Sequence, residues 1–235
     1  MSEFSGTHVR VVLTHGAWAD GSSWNKVIAG LRAEGVRAVA APLPLTSLAD
    51  DVAALDRALE VVDGPVVLVG HAYAGAVISS ATEGDVAALV YVAALAPDEG
   101  ETVADVFYRA DPHPQAPKLG PDRHGLIWLP QEAFASAFAQ HATEEEQALL
   151  AATQRPIAAG AIRVQVARPS WKDKQSWFLV ADEDRMIPPE TQRFMAERMG
   201  AHVHTAPVDH LPMLTAPATV VDIIMEAVRQ VEGGR

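Results

Sequence analysis

One strand-to-helix turn in this sequence has the spacing that acyl-transfer chemistry needs. The segment Val66-Val67-Leu68-Val69-Gly70-His71-Ala72-Tyr73-Ala74 passes from an apolar run into a helical pattern with almost no loop. Its centre is Ala72, with Gly70 two residues before and Ala74 two after. In such an elbow the central residue sits on a strained turn and projects above the sheet, and small flanking residues let strand and helix approach closely. A hydroxyl at the centre would attack a carbonyl carbon, and a methyl group does not. The backbone N–H of Tyr73 is placed to hold the oxyanion that such an attack creates. Taken alone, the same residues also describe a tight strand-to-helix turn in any α/β protein, so the motif needs context.

Three other positions supply that context. His15-Gly16-Ala17-Trp18 follows the first strand, and the Ala17 N–H is suited to the second half of an oxyanion hole. Asp184 lies just past a later strand, where a carboxylate can hold a histidine in its working tautomer. Its neighbours Asp182 and Glu183 suit a solvated acidic loop better. His210 lies past the next strand and before the last helix. His202 and His204 alternate along a strand and read as packing or surface residues. His113, His124 and His141 lack metal-ligand spacing, so no metal site and no cofactor is expected. The order of elbow, acid and histidine is the order of one family of hydrolytic triads.

The elements that must position these groups can be read from periodicity. Short apolar runs at Val9–Thr14, Val36–Ala41, Val66–Val69 and Ala88–Leu95 read as strands, separated by helical patterns at Trp24–Ala33, within 48–62 and at Ala74–Ala81. In the second of these helices Ser47 begins a capping box, and Val52, Leu55, Leu59 and Val62 form the buried face. The rhythm breaks after Ala96 and resumes with a strand at Trp177–Ala181, a helix at Pro189–Met199, a strand at His202–Pro207 and a helix at Ala218–Val231. Between them, Phe134–Gln140 and Thr143–Ala152 look helical. The fold class is therefore α/β, a doubly wound, mostly parallel sheet of about six strands. Residues 1–96 and 175–235 form the core, and 97–174 form a helical lid inserted after the fourth strand.

Composition narrows the function classes. The chain has 235 residues, 49% hydrophobic and 20% charged, which is ordinary for a globular domain. A net charge of −12 disfavours nucleic acid and anionic membrane as partners. The absence of cysteine excludes disulfides and a thiolate nucleophile, and fits a cytoplasmic location. Met1–Arg10 lacks the pattern of a leader peptide, and no apolar run is long enough to span a membrane. Nothing in the sequence argues for a homo-oligomer, although one is compatible with it.

On His15-Gly16-Ala17-Trp18 with Trp24, the Gly70-His71-x-Tyr73 elbow, Asp184 with Ile187-Pro188, and His210, the chain resembles the small α/β-hydrolases of the esterase and hydroxynitrile-lyase-like branch. That branch includes plant methylesterases and many bacterial esterases. The resemblance spans nearly the whole chain and implies serine-type hydrolysis of a carboxylic ester, an aryl ester or lactone included. Position 72 would be serine, His210 the general base and then acid, and Asp184 its orienting group. Trp18, Trp24, His71, Tyr108 and Trp128 are the candidate substrate contacts, and the lid aromatics favour an apolar group. An aspartate nucleophile, as dehalogenases and epoxide hydrolases need, is absent from the elbow.

This sequence departs from that pattern twice. Asp209 precedes the histidine, either perturbing it or standing exposed. Ala72 removes the nucleophile. Two explanations compete: a Ser→Ala change that leaves an inactive chain still able to bind substrate, or a natural alanine in a ligand-binding protein or a cofactor-free lyase-like enzyme using His210. The first is favoured, because every other group useful only for acyl transfer is retained.

Overall fold

The computed structural model describes residues 8–234. The reading of a missing leader lies mostly outside the described residues. Six parallel strands form the main sheet, β1 (Arg10–Thr14), β2 (Arg37–Ala41), β3 (Val66–His71), β4 (Val86–Val92), β7 (Gln175–Ala181) and β8 (His202–Ala206), in the spatial order β2-β1-β3-β4-β7-β8. β3 is buried along its whole length, as a central strand covered on both faces must be, whereas the edge strand β8 is largely exposed. The helices α1 (Asn25–Ala33), α2 (Leu48–Glu60), α3 (Ala74–Ser79), α7 (Pro189–Arg198), α8 (Pro212–Thr215) and α9 (Pro217–Gly233) belong to this core. The order reverses between β1 and β3, and ligands of open parallel sheets bind outside the strand ends at such a switch point.

Between β4 and β7 the chain forms α4 (Val103–Phe107), β5 (Leu126–Ile127), α5 (Gln131–Ala133), α6 (Glu144–Thr153) and β6 (Ile157–Ala158). The insertion is not purely helical, because β5 and β6 pair as an antiparallel ribbon. The helix expected over Phe134–Gln140 is a π-type turn, Phe134–Phe138, in which the Ala139 N–H reaches back to the Phe134 carbonyl. That wide turn buries Phe134 and Phe138 together, edge to face at 5.4 Å. α6 begins with a reciprocal capping box between Thr143 and Glu146.

Three further expectations are corrected. The fourth strand stops at Val92 rather than Leu95, because Ala93 adopts φ 43°, outside the strand region. On α2 the buried set is Leu48, Asp51, Ala54, Leu55 and Leu59, with Val52 and Val62 only half-buried. The cap there is one-sided: the Ser47 hydroxyl accepts from the Asp50 N–H, and Asp50 bonds that hydroxyl rather than the backbone of Ser47.

Candidate active site

β3 ends at His71, and α3 begins at Ala74 after only two intervening residues. Ala72, between them, has φ 49°, a left-handed conformation that costs an L-residue about 1–2 kcal/mol. Its neighbours hold it there. The Ala72 N–H donates to the Val92 carbonyl, and the Ala72 carbonyl accepts from Leu95 at 2.9 Å and Gly75 at 3.0 Å. Gly75 must be glycine for the helix to lie this close, since a Cβ there would stand 2.4 Å from the Leu95 carbonyl oxygen.

The loop after β8 brings His210 over this turn, and the loop after β7 brings Asp184 beneath the ring. The Nδ1–H of His210 donates to Asp184 Oδ2 at 2.8 Å, and both side chains are almost fully buried. The other oxygen of Asp184 accepts the N–H groups of Met186 (2.7 Å) and Ile187 (2.9 Å). Gln192 adds a bond at 2.8 Å from its amide to Asp184 Oδ2, while its own carbonyl accepts from the Ala181 N–H. Such a fully hydrogen-bonded carboxylate fixes the imidazole with Nε2 facing the cavity as an acceptor.

Two more buried histidines support the floor. The His71 Nε2–H donates to the carbonyl of His210 at 2.7 Å, and its Nδ1 has no partner among the described residues. His15 accepts from the Leu43 N–H at Nε2 and donates to the Gly16 carbonyl through Nδ1. Burial lowers the pKa of both rings, that of His71 strongly with the nearby His210 adding to the effect, so both are neutral.

The Ala17 and Tyr73 N–H groups donate no backbone hydrogen bond among the described residues, and both residues line one cavity with Ala72 and His210. Each is held from the side. Trp18, at φ 61°, donates its N–H to the Arg155 carbonyl and its indole N–H to the Ile127 carbonyl. The Tyr73 hydroxyl donates to Asp51 Oδ2 at 2.7 Å, and the other oxygen of Asp51 accepts the Leu45 N–H at 2.6 Å. Burial and the facing carboxylate push the Tyr73 phenol far above its ordinary pKa. Burial likewise raises that of Asp51, against the opposing pull of the Tyr73 hydrogen bond.

The cavity is apolar, about 60 Å³, with Leu95, Val103, Ile127 and Ile187 among its walls. Trp18 and Tyr108 line it. Trp24, His71 and Trp128 do not. Trp24 is packed away in the core behind the first strand, and His71 is sealed beneath His210. Trp128 is half-exposed on the insertion, its indole N–H 3.3 Å from Asp122. Asp209 is neither exposed nor bonded to the His210 ring. It is fully buried and accepts from the N–H groups of His141 and Leu211 and from the Thr215 hydroxyl. His202 and His204 lie on the edge strand, stacked on Trp177 and paired with Glu226 respectively.

Asp51 and Gln192 were not singled out from the sequence. Asp51 had a readable signal: it stands three residues after Leu48 and four before Leu55, on the apolar face of α2, where a carboxylate needs a partner. Gln192 had none, since an amide in an amphipathic helix is unremarkable until the loop it faces is known. No group of three metal-ligating side chains occurs among the described residues.

A base–acid pair, two free backbone donors and an apolar cavity together can move a proton and stabilise an oxyanion at a bound carbonyl. Ala72 supplies no nucleophile to that constellation.

Residues 11–223 match the profile of the alpha/beta hydrolase family. No curated protein sequence matches the chain. Among solved structures, polyneuridine aldehyde esterase is similar with a TM-score of 0.76 at 19% identity, over 94% of this chain and 99% of that one. A pyrethroid hydrolase gives 0.79 at 19% identity, over 94% and 98%. A variant of tomato methylketone synthase I complexed with β-ketoheptanoate gives 0.80 at 20% identity, over 94% and 98%. At these identities the likeness is one of fold. With a family match over nearly its whole length and the sheet, elbow and loop order that accompany it, the chain belongs to the alpha/beta hydrolase family.

Proposed function

We propose that the site is that of a serine-type carboxylic-ester hydrolase whose nucleophile position holds a methyl group, so that the chain as it stands binds an apolar ester or lactone and turns it over very slowly. One observation carries this reading: His210, braced by Asp184, lines a single cavity with Ala72 and with Ala17 and Tyr73, whose N–H groups donate no backbone hydrogen bond among the described residues. With serine at 72, Oγ attacks the acyl carbon and its proton passes to His210 Nε2. The Ala17 and Tyr73 N–H groups hold the oxyanion, and His210 returns the proton to the departing alkoxide. A water then repeats the sequence on the acyl-enzyme. With alanine no acyl-enzyme forms. In a serine protease stripped of its triad, the oxyanion hole and binding alone leave a rate roughly 10³- to 10⁴-fold above water.

A second reading takes the alanine as the working residue. Tomato methylketone synthase I, a fold relative, was solved with β-ketoheptanoate bound. Loss of CO₂ from a β-keto acid needs no nucleophile: His210 Nε2 takes the carboxyl proton, the C–C bond electrons pass into an enolate whose oxygen the two N–H groups hold, and His210 returns that proton to the carbon. Ala72→Ser separates the readings. A gain of several orders of magnitude in ester hydrolysis supports the first. Decarboxylation of a β-keto acid by the unaltered chain, abolished by His210→Ala, supports the second. Tight binding of an ester without turnover in either form leaves a ligand-binding protein.

A further inference from the structure

Outside the inner cavity lies a second chamber of about 490 Å³, formed largely by residues 107–119 of the insertion. The two share Phe107, Tyr108, Leu119 and Met186, which form the partition between them. Only the inner chamber is lined by Ala17, Ala72, Tyr73 and His210, so the reacting carbonyl belongs there. Resting on the ester reading above, we infer that the ligand is an ester of a short, uncharged acid with a bulky, largely apolar alcohol, its acyl group inside and its alcohol group in the outer chamber.

Size sets the first half of that assignment. A cavity that admits benzene measures about 150 Å³. At about 60 Å³ the inner chamber has room for a short acyl group and none for an aromatic ring. The outer chamber has the volume a ring system needs.

Charge sets the second. No Lys, Arg, Asp or Glu lines the inner chamber. The polar atoms of Trp18 and Tyr73 there are already bonded to Ile127 and Asp51. A charged acyl group would therefore be buried without a partner, at a cost of several kcal/mol. The outer chamber carries no carboxylate; Lys118 and His113 stand at its wall, which is otherwise apolar and includes Pro112, Pro114 and Pro117. Prolines fix φ and reduce the entropy lost when the loop orders around a ligand.

Orientation follows from the acid loop. Met186 and Pro188 line the outer chamber, and the Met186 N–H is bound by the same Asp184 that holds His210. The group that leaves must take a proton from His210, so the alcohol belongs on that side. Tyr108, 63% exposed and edge-to-face with Phe107 at 4.9 Å, is the part of the partition free to move aside.

Naphthyl acetate and methyl naphthoate are isomers with the ester reversed, which makes them the test. The unaltered chain should bind naphthyl acetate about tenfold or more tightly than methyl naphthoate by calorimetry. The Ala72→Ser variant should show the same preference in kcat/KM. Ala116→Trp, which adds bulk only to the outer chamber, should weaken naphthyl acetate by a similar factor and, in the Ala72→Ser form, lower kcat/KM for naphthyl acetate about tenfold relative to ethyl acetate. Equal use of the two isomers, a preference for the naphthoate, or indifference to Ala116→Trp overturns the two-chamber assignment while the ester reading stands. Failure of every ester to bind or to be hydrolysed by the serine form overturns the ester reading itself, and this inference with it.

Discussion

Three buried histidines surround position 72, and His210 is the one that lines the cavity. The other two are structural, and their neutrality has a pH consequence. Burial depresses the pKa of His15 and His71 below the ordinary 6.5, so the unfolded chain binds more protons than the folded one as acid is added. The stability they permit is complete above 6.5 and is lost as pH falls below it, by up to about 1.4 kcal/mol per pH unit for each ring. The urea midpoint should therefore drop between about pH 7.5 and about pH 5, and His71→Gln should make that drop shallower. A wild-type slope unchanged in the variant would show that His71 takes no part. Asp184 is constrained differently. It accepts from two backbone N–H groups, Gln192 and His210, and an amide in its place offers donors where acceptors are required. In an Ala72→Ser background, Asp184→Asn should lower kcat by about 10⁴-fold, as the equivalent change does in a serine protease. Far-UV circular dichroism should be unaltered.

At the scale of elements, the elbow depends on α3 lying almost against the chain that follows β4. The clearance at Gly75 sets that distance. Gly75→Ala should cost about 1–3 kcal/mol, read as a lower denaturant midpoint, because its Cβ meets backbone that cannot rotate away. Gly35→Ala tests the contrasting case: its φ of 78° strains an alanine, yet nothing lies within 4 Å of the new methyl. The loss there should be the smaller, about 1 kcal/mol. A second tie runs from α2 to the elbow through Asp51 and Tyr73. It carries the oxyanion residue on a buried carboxylate that also fixes the Leu45 turn, and the Leu45 carbonyl in turn accepts from Ala158 of β6. The hole and the insertion thus share one set of supports.

At the scale of the whole molecule, the insertion is clamped onto the core beside the histidine loop. Asp209 bonds His141 of the insertion, while Gln140 reaches the Glu183 carbonyl and Arg185 reaches the Ser136 carbonyl. Farther out, Lys26 pairs with Glu146 at 2.8 Å, an exposed contact of small energetic weight. Asp209→Ala leaves the N–H groups of His141 and Leu211 without their acceptor, each worth about 1–3 kcal/mol when buried, while the Thr215 hydroxyl keeps the Leu211 carbonyl. Limited proteolysis should then cut within residues 131–153 faster than in the unaltered chain, whereas Lys26→Ala should leave the cleavage rate nearly unchanged. Equal rates in both variants would mean that the clamp is not at Asp209.

The sequence by itself determined the α/β alternation and the parallel sheet, because strand and helix periodicities are local properties of the chain. It also placed Ala72, Asp184 and His210 at strand ends in a set order, and it showed that the elbow lacks a hydroxyl. What it left open were distances between segments far apart in the chain. Only the tertiary structure decided that Trp24 packs in the core, that Trp128 faces outward and that Asp209 braces the insertion. The division of the ligand space into two chambers is of the same kind, since four side chains from two segments far apart in the chain must meet before any partition exists. Aromatic and acidic residues satisfy local rules equally well in a core, on a surface or in a pocket. Their partners come from elsewhere in the chain, and packing alone selects among those places.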